Sequence, residues 1–220
     1  NSDNKKKYNM VVENIEVFNI EGALRGMRNP MNSWNKSDSK KIKTDNGFEF
    51  IIGDNDKILA NKLIKAGSEH RKFMRQIMVC FDITAPLYIW KEFDTYQVGK
   101  VTNSTSTMHK IQSKQIVLDD FEIDDIEEFE FFVLVHTINA CENYRKKFLD
   151  CGDKKYWKAL IRLLPESYLQ KRTVTLNFEN LYSIVRQRRG HKLTEWKTFI
   201  DAMRNIPYAN DFVFFDYKNN

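Results

Sequence analysis

Polar and apolar positions alternate at several places along the chain, and this alternation predicts strands. In Gln76–Ile83 ("QIMVCFDI") the residues Ile77, Val79, Phe81 and Ile83 fall on one face of a period-two element. Val11–Ile20 ("VVENIEVFNI") alternates in part and is rich in β-branched residues. Phe48–Ile52, "KRTVTLNF" and the late "DFVFFDY" read as further strands. Elsewhere the apolar period is helical. Ile58, Leu59, Leu63 and Ile64 share a face between a capping Asp54 or Asp56 and a stop at Gly67. "APLYIWKEFDTY" predicts a helix with Thr84 as its cap and Pro86 in its first turn. A long helix over about Asp125–Leu149 starts acidic and ends basic, as a helix dipole favours. "ENLYSIVRQRRG", stopped by Gly190, and "TEWKTFIDAMRN" complete the helical set. Gly22, Gly26 and Pro30 interrupt "GALRGMRNPMNSW", and Lys36–Gly47 reads as a polar surface loop ending in an Asn-Gly turn. The mixture, without internal repeats or a dividing linker, predicts one α/β domain behind a short polar tail, "NSDNKKK".

Composition narrows the partners. The chain has 220 residues, of which 42% are hydrophobic and 30% charged, enough for a full core without staples. The net charge of +5 suits an anionic ligand such as a nucleotide. Its Lys and Arg are scattered rather than blocked, so nucleic acid is not the expected partner. Cys80, Cys141 and Cys151 are odd in number and lack CxxC spacing, which argues against a disulfide framework or a zinc site and for a reducing, cytoplasmic home. No apolar run reaches the roughly 18 residues of a membrane span.

Four stretches carry candidate chemistry. "SEHRKFMR" (Ser68–Arg75) sets a carboxylate beside an imidazole with three cations behind them; a solvated charge run is the plainer alternative. From a strand, Glu69 and His70 would point to opposite faces. "YQVGKVTNSTSTMHK" (Tyr96–Lys110) concentrates hydroxyls, an amide and Gly99, as a phosphate cradle or a polar turn would. It contains no GxxxxGK[ST]. "LLPESY" and Thr175–Trp196 form a basic region in which Arg186, Arg188 and Arg189 could bind an anion or cap their helix. "MRNPMNSW" is irregular, as binding segments often are. The four histidines are far apart in sequence, and no Ser-His-Asp or Cys-His set assembles by spacing; His136 reads as a packed residue on the apolar face of the long helix.

The order of these stretches resembles the flavin-dependent thymidylate synthase family over roughly Ile15 to Met203. That family has a helix, a Glu-His pair leading into a strand, a second helix, and an Arg-His-Arg motif followed after seven residues by Ser. A late Leu-Pro, a Thr-Val-Asn strand and a helix ending in Arg complete its pattern. Here "AGSEHRKF", "LLPESY", "TVTLN" and "FENLYSIVRQRRG" follow in that order. With Ser106 as the motif serine, the Arg-His-Arg slot holds Tyr96, Gln97 and Val98, and Glu179 stands where the family often has Arg.

The resemblance implies a single thymidylate-synthase-like domain over residues 11–220, with a central antiparallel-type sheet flanked by helices. It implies reductive methylation of dUMP to dTMP with FAD, methylenetetrahydrofolate and NADPH as reductant, in a homotetramer. By position, Glu69, His70, Asn177 and Ser33 would meet the flavin. Ser106 and Asn103 would meet the substrate, and Arg188 would bind the uracil base; Ser106 and Arg188 would serve catalysis. A non-catalytic nucleotide-binding protein and a related uridylate-modifying enzyme are the alternatives, and the drift from the pattern suits a viral or phage origin.

Overall fold

A computed structural model describes residues 10–217. The tail expected over residues 1–10 lies, apart from Met10, outside the described residues. The elements run β1 (Val11–Phe18), α1 (Ile20–Met27), β2 (Lys40–Thr44), β3 (Gly47–Ile51), α2 (Asp54–Lys65), β4 (Met78–Pro86) and α3 (Leu87–Phe93). They continue with β5 (Val101–Ser104), α4 (Glu128–Cys151), α5 (Lys154–Leu163), β6 (Leu169–Asn177), α6 (Phe178–Gln187), α7 (Thr194–Met203) and α8 (Ala209–Phe212). As expected, this is a mixed α/β fold with an antiparallel sheet flanked by helices. Four strands are ordered β1-β4-β6-β5, and β2 and β3 form a separate antiparallel hairpin. Among the described residues no helix is long and apolar enough to cross a membrane.

The chain packs as two compact units. Of the described residues, one takes those up to Glu13, Asp82–Tyr96 and Thr102–Thr173; the other takes Asn14–Phe81, Gln97–Val101 and those from Val174 on. In the first unit Ile111, Ile116, Phe121, Leu134, Ile138, Cys141 and Leu160 make one core. Burial there pushes the Cys141 thiol up to about 11, so it stays a neutral, packed thiol. In the second unit Phe73 meets Phe212 edge-on at 5.8 Å, and Phe199 packs between Phe81 at 6.5 Å and Trp196 at 5.6 Å. Each large side chain so buried is worth about 1.5–3 kcal/mol.

Local chemistry explains the elements. β4 keeps the expected alternation: Val79, Phe81 and Ile83 are all buried, as is Ile77 just before the strand. It runs on to Pro86, so Thr84 sits within a strand and caps nothing. The first amides of α3 are met instead from the "LLPESY" turn: Leu87 N donates to Tyr168 O at 3.0 Å and Tyr88 N to Glu166 O at 3.3 Å. At the start of α4 the Glu127 carboxylate accepts from Phe129 N and Glu130 N. Its end is fixed by Gly152 at φ 69.

Several expectations are corrected. α1 is a regular helix through Gly22 and Gly26, because Ile20, Ala23, Leu24 and Met27 bury one face. Its glycines serve close packing: a Cβ at Gly26 would stand 2.9 Å from Gln76 Oε1. Lys40–Thr44 of the expected polar loop form β2, paired with β3 from Lys40–Ile51 to Thr44–Gly47. "DFVFFDY" is no strand, since Phe212, Val213 and Phe214 are buried consecutively at the end of α8. His136 is exposed and rests on Phe132, with ring centroids 4.3 Å apart, rather than packing in the core.

Candidate functional site

Three of the candidate flavin-side residues meet in one place. Ser33, Glu69 and His70 line a cleft of about 630 Å³ in the second unit. Its apolar walls come from Met27, Leu59, Leu63 and Phe73, and two cations, Lys72 and Arg75, stand at it. Glu69 and His70 lie on a turn after α2, not on a strand, which lets neighbours in sequence face the same cleft. The turn is closed by His70 N and Arg71 N, both donating to Gly67 O at 3.1 Å. Gly67 has φ +113, a conformation that favours glycine.

Ser33 is held from behind. Buried Arg28 reaches its carbonyl at 3.2 Å and its Oγ at 3.4 Å through Nη1. Arg28 Nε donates to Asp56 Oδ1 at 2.6 Å, with the two side chains 4% and 0% exposed. The hydroxyls of Ser37 and Ser39 donate to the other Asp56 oxygen at 2.6 and 2.5 Å. The Asp56 carboxylate is therefore saturated, as burial of a charge requires.

Asn177 is the N-cap of α6. Its side chain accepts from Asn180 N at 2.9 Å, while Asn180 Oδ1 accepts from Asn177 N at 3.1 Å. This reciprocal cap shapes the segment at the Arg-His-Arg slot. Asn180 Nδ2 donates to Val98 O, and a Cβ on Gly99 (φ +77) would stand 2.9 Å from Asn180 Oδ1. Glu179, two residues beyond Asn177, accepts from Arg71 Nε at 2.9 Å and from Arg75 Nη1 at 2.6 Å. Arg188 is the C-cap of the same helix, its N–H donating to Ile184 O. Its guanidinium lies 4.6 Å over the Trp196 ring. It lines a hollow of about 460 Å³ with Arg189, His191, Lys197 and Arg204, against one acid, Asp201.

Ser106 and Asn103 belong to the first unit. Asn103 lies exposed on β5, so the polar stretch is partly a strand. Ser106 Oγ accepts from His109 N at 2.8 Å and Met108 N at 3.2 Å, closing a turn, and keeps its own proton to donate. With Lys110, Ser113, Lys114 and Tyr168 it lines a hollow of about 390 Å³. Lys114 pairs with Asp120 at 3.1 Å. Sequence reasoning did not assign Lys72, Arg75 or Arg28. For the first two the signal was present, as the cations of "SEHRKFMR"; nothing in the sequence marked Arg28.

The fold is that of the flavin-dependent thymidylate synthases. Two solved structures of Thymidylate Synthase X (ThyX) from Helicobacter pylori, both with FAD and dUMP, are similar to this chain. One has a TM-score of 0.67 at 16% identity and covers 94% of this chain and 98% of its own. The other has a TM-score of 0.66 at 17% identity and covers 93% and 98%. At these identities the likeness is one of fold. No protein-family model matches the chain, and no curated relative matches it by sequence.

Proposed function

We propose that the chain is a flavin-dependent thymidylate synthase-like enzyme that converts dUMP to dTMP, with methylenetetrahydrofolate as carbon donor, FAD as cofactor and NADPH as reductant. The observation that carries this reading is the convergence of Ser33, Glu69 and His70 on one cleft, in a chain with this fold. The cleft fits a flavin: apolar walls suit a flat ring system, and cations at its edge suit phosphate. When bound, the flavin would supply the hydride that the protein itself cannot. Glu69, His70 and Ser33 would hold the ring by hydrogen bonds.

On the substrate side, Ser106 would donate its hydroxyl proton to the phosphate, with Lys110 adding positive charge from the same hollow. Arg188 would donate to a uracil carbonyl oxygen. Its positive charge there stabilises negative charge developing on the ring as C5 becomes nucleophilic. Purified protein is expected to take up FAD and turn yellow, with an absorbance band that shifts on adding dUMP. Colourless protein that takes up no FAD sinks this reading. Tyr96, Gln97 and Val98 at the slot of the arginine motif favour a second one, a nucleotide-binding protein without flavin chemistry. That reading predicts a melting temperature raised by dUMP alone. Product analysis would separate methylation from a related uridylate modification such as hydroxymethylation.

The homotetramer implied by the resemblance is part of the proposal. It is supported by the first half of α4, where Phe129 is 69%, Phe132 57% and Val133 46% exposed on one helix. A large apolar patch of this kind marks an association surface. Phe132→Glu is expected to reduce the oligomer to smaller species in light scattering. A wild-type monomer, or a variant of unchanged mass, would remove this support.

A further inference from the structure

Resting on the flavin reading, we propose that Arg75 is the cation that meets the pyrophosphate of the dinucleotide, and that Glu179 is the residue positioning it. The chain lacks arginines at the Arg-His-Arg slot and carries an acid at position 179. The structure shows what that acid does: each of its oxygens is taken by one arginine, Arg71 on Oε1 and Arg75 on Oε2. Glu179 is only 14% exposed, so the pair of bonds is fixed rather than loosely solvated.

The two arginines are not equivalent. Arg71 is 17% exposed, lies 4.6 Å over the Tyr182 ring and reaches Ile64 O, so it is spent on the fold. Arg75 is 44% exposed and lines the cleft of Ser33, Glu69 and His70. Among the described residues both its bonds, to Glu179 and to Ser68 O at 3.2 Å, fall on Nη1. Nε and Nη2 remain as two parallel donors, the fork that recognises phosphate oxygens. The Glu179 carboxylate balances one of the two guanidinium groups, and at the same cleft Lys72 adds a positive charge that Glu69 offsets, so one positive unit remains. The positive charge missing at position 179 is thus supplied by a side chain that Glu179 holds in place.

The test compares ligands that share the ring but not the phosphates. Binding of FAD and of riboflavin is measured by flavin fluorescence on the full chain, for wild type, Arg75→Gln and Arg75→Lys. Wild type is expected to bind FAD more tightly than riboflavin. Arg75→Gln should weaken FAD roughly tenfold to 100-fold while leaving riboflavin unchanged, and Arg75→Lys should recover part of the loss. Unchanged melting temperatures would show that the fold is kept. If Arg75→Gln binds FAD like wild type, or loses FAD and riboflavin in equal proportion, the assignment is overturned and the flavin reading stands. If wild type binds no FAD, the flavin reading fails and the assignment fails with it.

Discussion

Asp56→Ala is expected to destabilise the protein by about 3–5 kcal/mol, the cost of leaving a buried charge without its partner. Arg28 and Asp56 are almost wholly out of water. Removing the carboxylate strands the guanidinium and leaves the hydroxyls of Ser37 and Ser39 without their acceptor. For a chain of this size the loss corresponds to roughly 10 °C in melting temperature. Arg28→Ala should cost a similar amount for the converse reason. The double variant Arg28→Met/Asp56→Leu should be less damaged than either single change, because no buried charge is left unpaired, although Ser37 and Ser39 still lose their acceptor. A melting temperature of Asp56→Ala close to that of wild type would show that the pair is dispensable. The consequence reaches the cleft, because the same Arg28 holds Ser33 by its carbonyl and hydroxyl. Loss of Asp56 should therefore weaken flavin uptake even at temperatures where the variant remains folded.

This network illustrates what the sequence could and could not reveal. Nothing in "MRNPMNSW" or in the helix beginning at Asp54 marks Arg28 and Asp56 as partners, since the pair forms only when α1 and α2 pack. Period-two alternation in β4 and the acidic-to-basic run of α4 were legible because each reports a single element against its own surroundings. α5 (Lys154–Leu163) went unread. The α1 helix was obscured by its own glycines: Gly22 stands against the Asn19 side chain at the helix start, and Gly26 against Gln76 from outside the helix. "DFVFFDY" has the composition of a strand without its period, since three consecutive residues, Phe212, Val213 and Phe214, are buried.

The candidate site was legible to a comparable degree. Residue order pointed to Ser33, Glu69 and His70, and the fold brings these three to one cleft. On a strand Glu69 and His70 would diverge; on the turn closed on Gly67 O they face one cleft. The partnership of Glu179 with Arg71 and Arg75 spans more than 100 positions, so spacing could not expose it. An acid that looks like a lost cation in the sequence is, in space, the anchor of two.

Arg188→Ala is expected to abolish measurable dUMP binding while leaving the fold intact. The structure separates the two roles of this residue. Its backbone N–H closes α6 on Ile184 O, and alanine retains that bond. Its guanidinium stacks over the buried Trp196, a contact worth about 0.5–2 kcal/mol, so a fall of only a few degrees in melting temperature should follow. On the ligand side, each hydrogen bond from a charged donor contributes about 1.5–3 kcal/mol, and losing two N–H donors to the two lone pairs of one uracil carbonyl oxygen would take affinity down roughly 100-fold or more. Calorimetric titration with dUMP, run beside thermal melts, reads both quantities. Arg189 and Arg204 line the same hollow and serve as controls. If the hollow acts only through bulk positive charge, all three alanine variants should weaken binding alike, and the loss should shrink in salt. If Arg188 meets the base itself, its variant alone should show the large loss, and salt should not hide it. Unchanged dUMP affinity in Arg188→Ala would remove the residue from the site.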